Sequence, residues 1–202
     1  MRLEKIVSYI FHPVLFGTIT TIFFFIFQPS FVPKSFQLNV ILVIFFSTYV
    51  IPVLFLFLLK SVKSIDSYHL VGVEERKFPV FFFIALNSLL VYRLFFYDNL
   101  RLLAIFFMAS AISLGIVFLF LLKKIKLSLH TLGLGLFTSF LIVLSYHFKT
   151  RLLVPISVAI LLSSIVATVR LKLNAHTNFE AYFGFILGVL MQIIVFLVIY
   201  KM

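Results

Sequence analysis

Residues 102–122 read LLAIFFMASAISLGIVFLFLL, an apolar run without a single charged side chain. A helix rises about 1.5 Å per residue, so this run is long enough to cross the hydrocarbon core of a bilayer. Six further apolar runs lie at about 6–27, 38–59, 78–97, 127–147, 152–169 and 180–200. Whole-chain composition agrees: of 202 residues, 63% are hydrophobic, 11% are charged and 29 are Phe. Mean hydropathy is +1.24. Soluble domains are about half apolar and roughly a quarter charged, and these numbers exclude one. The expected fold is all-α, a polytopic bundle of about seven spans forming a single transmembrane domain over 1–202.

The punctuation of the chain supports these boundaries. Pro29 and Pro33 bracket the first loop, Pro79 reads as the opening of the third span, and Asp98–Asn99 as a tight turn before the fourth. Arg93 then falls inside the third span, where it either snorkels along its stem or lines an internal cavity. The opening MRLEKIVSYIFHPVLFG looks like a signal peptide, but it lacks a small-x-small cleavage site and stays apolar past residue 22. It reads as a retained first span.

A net charge of +11 would suggest nucleic acid in a soluble protein. Here the basic residues sit in short loops, where topology and anionic headgroups explain them, so no nucleic-acid partner is expected. With seven spans, the N-terminal side collects eleven Lys and Arg, and the other side five: Lys34, Arg101, Lys149, Arg151 and Lys201. The positive-inside rule then puts the N-terminal side in the cytoplasm, and the small envelope-type chain suggests a bacterial inner membrane. Without Cys, disulfide frameworks, thiolate metal sites and cysteine nucleophiles are excluded. The redox compartment is unreadable.

The remaining polar groups cluster in three stretches on the N-terminal side: 66–79, 123–133 and 168–180. The third is the most informative. Arg170 precedes His176 by six positions, about 240° apart on a continuous helix, and Asn174 offers a break between them. Glu180 lies four residues beyond His176, on the same helical face. A carboxylate there can accept the imidazole N–H and raise the basicity of the other ring nitrogen. Gly184 and Gly188 continue the stripe and invite close approach of another helix. The second stretch carries Ser128 and His130, the first His69, Arg76 and Lys77.

Arg170, five residues, His176, three residues and Glu180 resemble the third motif of the type 2 phosphatidic acid phosphatase superfamily, S-R-x5-H-x3-D. These are integral membrane lipid phosphatases related to vanadium-dependent haloperoxidases. Thr168-Val169-Arg170 stands for the Ser-Arg lead, and Glu180 for Asp. Leu127-Ser128-Leu129-His130 is similar to the second motif, P-S-G-H, with Ser and His kept. His69 and Arg76 carry the spacing of the first motif, K-x6-R-P, with His in place of Lys and Pro79 displaced. The motifs keep their order over residues 69–180.

The resemblance implies a six-helix phosphatase-like core with an extra span, and hydrolysis of a lipid phosphate or pyrophosphate without metal or other cofactor. His176 would attack phosphorus to form a phosphohistidine, with Glu180 orienting it. His130 would protonate the leaving oxygen and later activate water. Arg170 and Arg76, with Ser128, would hold the phosphate, while Lys77 or His69 would supply the cation missing from the first motif.

Other readings stay open at this level. The Arg and Lys residues stand where topology alone would put them, Glu180 could simply cap the seventh span, and His12 could sit at the interface. Loss of motif residues could leave a phosphatase-like protein that binds lipid phosphate or a membrane partner without turnover. A transporter, or a metal enzyme using His130, His176 and Glu180, is the remaining class. The neighbouring cations argue against the metal enzyme.

Overall fold

Inside a bilayer the backbone has no water to bond, so each apolar run must satisfy its own N–H and C=O groups by coiling into a helix. The computed structural model describes residues 2–65 and 72–200, and of residues 2, 3 and 5 the backbone alone. All the regular structure among them is helical. Seven stretches are long and apolar enough to cross a membrane. The protein is an all-α polytopic membrane protein.

The first span is broken: α1 (Arg2–Ile10) and α2 (Phe16–Phe27) are separated by a 3-10 turn at Pro13–Leu15. His12 is extended there, with φ −65° and ψ 135°, because a residue before proline is pushed out of the helical region. The second span joins α3 (Lys34–Phe45) to α4 (Ile51–Ser61) through a π turn at Phe46–Val50. Then follow α5 (Val73–Leu94), α6 (Arg101–Leu122), α7 (Leu129–Phe148), α8 (Leu153–Lys172) and α9 (Asn178–Tyr200). A short 3-10 turn at Asp98–Leu100 leads into α6, where the sequence predicts a tight turn.

The third span departs from its expected limits. It begins at Val73, about one and a half turns before Pro79, so proline lies inside the helix instead of opening it. Glu74 and Glu75 favour this start, since acids stabilise the positive end of a helix, and Glu75 accepts the Gly72 N–H at 3.2 Å. The shift carries Arg76 into the helix and moves Arg93 to the exposed last turn. Arg93 therefore sits at the end of its span and lines no internal cavity. The three polar stretches are likewise helix ends as much as loops.

At the centre stands α7. Of its most apolar window 72% is buried, against 17–44% for the other spans. Its close partner is α9, with α6 beside both, α8 on another side, and α1 packed on α8. The pairing with α9 depends on glycine at the contact. A Cβ at Gly184 would meet Ser128 O at 2.8 Å, one at Gly188 would run into the Leu132 carbonyl, and one at Gly135 into that of Phe185. The Gly184–Gly188 stripe is thus the face that seats α7.

Candidate active site

Five of the eight residues singled out in the sequence belong to one interacting group at the N-terminal side of the bundle. Arg76 stands in the first turn of α5, His130 in the first turn of α7, Arg170 in the last turn of α8 and Glu180 in the first turn of α9. His176 lies in the link between α8 and α9. Arg76, His176 and Glu180 are all nearly buried, at 8%, 8% and 7% exposure. The Arg76 charge acts on Glu180, Arg170 and His176, and the Arg170 charge on both His130 and His176.

Local chain geometry explains how His176 arrives there. Asn174 takes a left-handed φ of 50°, a conformation asparagine tolerates better than most side chains. It ends α8, with Ala175 N–H donating to Arg170 O at 3.1 Å. Thr177 and Glu180 then form a reciprocal cap on α9. The Thr177 N–H donates to Glu180 Oε2 at 2.9 Å, and the Glu180 N–H to Thr177 Oγ1 at 3.2 Å. This is a capping box, and it turns the chain back toward the bundle.

The orientation of His176 differs in one respect from expectation. Its Nδ1 lies 2.9 Å from the Lys126 carbonyl and 3.5 Å from Glu180 Oε2. A carbonyl can only accept, so Nδ1 carries the hydrogen and Nε2 is left with its lone pair. The backbone of the α6–α7 link is therefore the nearer orienting partner. Glu180 holds that link in place instead, accepting the Lys126 N–H on Oε1 at 3.1 Å. Burial, followed by the positive charges of Arg76 and Arg170, pushes the His176 pKa down to about 3. The ring is neutral throughout the physiological range, as a nucleophile or base must be.

Two residues without motif support complete the group. Arg170 Nη1 donates to Ser8 Oγ at 2.7 Å. His130 Nε2 lies 3.1 Å from the Ser8 carbonyl, so that nitrogen bears hydrogen and donates. His12 meets His130 edge to face, with ring centroids 5.6 Å apart. Arg170 Nε is buried with no hydrogen-bond acceptor, an unspent donor at the centre of the group. Nothing in the sequence marked Ser8. The available signal was the His12–Pro13 break within a span, because irregular backbone at membrane depth is tolerated only against protein or a polar site.

Of the other residues singled out, Ser128 touches the group through its backbone, its N–H donating to the Glu180 carbonyl at 3.0 Å. Ser128 is fully buried and caps α7, accepting the Thr131 N–H at 3.4 Å. Lys77 pairs with Glu74 at 2.7 Å, one turn along α5. His69 lies outside the described residues. Among the described residues, His130, His176 and Glu180 do not form a group able to hold a metal.

Chemically, two guanidinium groups and two imidazoles gather around Glu180, whose oxygens already serve backbone N–H groups, and the Glu75 charge also acts on Arg76. A buried guanidinium N–H without an acceptor, that of Arg170 Nε, suits an oxyanion. No family model matches the chain, and no curated protein or solved structure matches it either.

Proposed function

We propose that this protein is a membrane phosphohydrolase acting on a lipid phosphate or lipid pyrophosphate, of the type 2 phosphatidic acid phosphatase kind. The observation carrying this reading is His176, fixed as the Nδ1–H tautomer by the Lys126 carbonyl and acted on by Arg76 and Arg170. Its Nε2 lone pair attacks phosphorus, and the bond from phosphorus to the leaving lipid oxygen breaks. His130, in its acid form, gives a proton to that oxygen. In the second step His130 takes a proton from water, whose oxygen attacks the phosphohistidine and releases phosphate and free His176. Arg170 and Arg76 offset charge on the phosphoryl oxygens as it spreads. Glu180 acts as a positioning residue through Lys126 and the α9 cap.

A phosphatase-like protein that binds lipid phosphate without turnover is the alternative. It is favoured by the commitment of Ser128 to a helix cap and of Lys77 to Glu74. The excess of Lys and Arg on the N-terminal side supports a cytoplasmic site in what we infer to be a bacterial inner membrane. Phosphate release from a panel of lipid phosphates by the detergent-purified protein tests the reading, with and without chelator. Turnover resistant to EDTA, inhibited by vanadate and lowered at least ~10³-fold in His176→Ala is expected, since that variant removes the nucleophile. Phosphate binding with no release from any substrate would leave the alternative standing.

A further inference from the structure

The end of α1 occupies the very atoms that a phosphate would need. Ser8 takes a donor of Arg170 through its hydroxyl at 2.7 Å and the proton-bearing nitrogen of His130 through its carbonyl at 3.1 Å. These are one anion-binding group and the one proton donor of the mechanism. Meanwhile Arg170 Nε, beside them, has no acceptor. The contacts link residues 122 and 162 positions apart in sequence, and they close a span that is broken just beyond them, at His12–Pro13.

A crevice opens along the same contact. It lies between α1 and α8, has a volume of about 360 Å³, and is walled by Val7, Ser164, Ile165, Thr168, Val169 and Lys172, with Glu4 at the α1 side. Val7 and Val169, which line it, are the chain neighbours of Ser8 and Arg170. Its walls are mainly apolar, it faces the lipid side of the bundle, and Lys172 stands at the end nearer the membrane surface.

We propose that α1 is a latch on the phosphate site, and that the crevice between α1 and α8 receives the hydrocarbon chain of the lipid phosphate. This rests on the phosphohydrolase reading and adds the route by which its substrate arrives. The lipid slides in from the bilayer with its chain along Val7, Ile165 and Val169. Its phosphate replaces the Ser8 hydroxyl on Arg170 and the Ser8 carbonyl on His130, and reaches the unspent Arg170 Nε. The α1 helix yields by turning at the extended His12, where Pro13 contributes no N–H to hold the two helices in line.

Two variants and two readouts test this. For Ser8→Ala, binding of inorganic phosphate to the purified protein is measured by titration, with thermal unfolding alongside. A three- to tenfold tighter Kd with a lower or equal Tm is expected, because the latch competes with the anion. For Ser164→Phe, which narrows the crevice, kcat/KM is compared between long-chain and dibutyryl phosphatidate. A fall of tenfold or more in the long-to-short ratio is expected. If the wild-type protein binds phosphate and Ser8→Ala binds it no tighter, the latch is overturned while the site stands. An unaltered chain-length ratio in Ser164→Phe likewise overturns the crevice alone. Absence of binding and of turnover in both wild type and Ser8→Ala overturns the phosphohydrolase reading, and the latch with it.

Discussion

Asn174 carries a geometric duty that its neighbours cannot share. Its left-handed φ of 50° ends α8 and lets the chain turn back so that His176 reaches the Lys126 carbonyl. Asn174→Gly should be tolerated, whereas Asn174→Val should cost about 1–2 kcal/mol, because a branched Cβ crowds the carbonyl in that conformation. Chemical unfolding in detergent would measure the difference, and equal stability of the two would argue against this role. His176 makes a second demand. Its pKa is held near 3 in the fold, while an unfolded histidine titrates near pH ~6.5. Between these values the unfolded chain binds more protons, so stability should fall as pH drops from about 6.5 toward 3, by at most ~1.4 kcal/mol per pH unit from this group. His176→Gln should flatten that dependence in thermal scans taken across the window. Much of this was visible in the residues themselves: Arg170, His176 and Glu180 were singled out by spacing, and Asn174 as the break. The bond from His176 to the Lys126 carbonyl was not, because a backbone acceptor leaves no trace in side-chain spacing.

The contact between α7 and α9 belongs to the element scale. Three glycines let two backbones approach where side chains would normally hold them apart. Replacement of Gly188 by Leu would drive its side chain into the Leu132 carbonyl and the Leu136 amide, both backbone groups that cannot swing aside. Loss of at least 1–3 kcal/mol is expected, with activity falling together with stability, since His130 and Glu180 are carried by these two helices. Gly115, by contrast, has open space around its missing Cβ, and Gly115→Ala should be neutral or slightly stabilising within α6. Parallel melting curves would separate the two cases. The helices themselves were legible as apolar runs, and their limits mostly to within a few residues. The third span was misplaced because Glu74, Glu75 and Arg76 look like loop in a hydropathy scan, although the first turn of a helix favours acids. The break at His12–Pro13 was passed over for the opposite reason, an apolar run that continues on both sides of it.

At the scale of the whole bundle, seven spans crossing in turn put Arg2 and Tyr200 on opposite sides of the membrane. In a protein without cysteine, single replacements report this directly. Lys123→Cys should react with an impermeant thiol reagent from the side that carries the site, and Asn99→Cys only from the other. Both residues are exposed and lie at opposite ends of α6. Labelling of both from one side would dismantle the topology. Hydropathy does not rank the spans by depth: α7, at 1.6, is the most enclosed, the α3–α4 span, at 2.7, is the least, and α5, at 1.4, lies nearly as far out. Overall hydropathy therefore announced a membrane protein but left the centre of the bundle unmarked.

An odd number of crossings also bears on how such a chain could evolve. A second copy fused head to tail would enter the bilayer upside down, and its cluster of arginines and histidines would open on the other compartment. A dimer of separate chains keeps both clusters on one side, but a tandem fusion could not without gaining or losing a span. Enlargement by gene duplication would therefore yield an inverted pair, the same cluster of side chains facing two compartments.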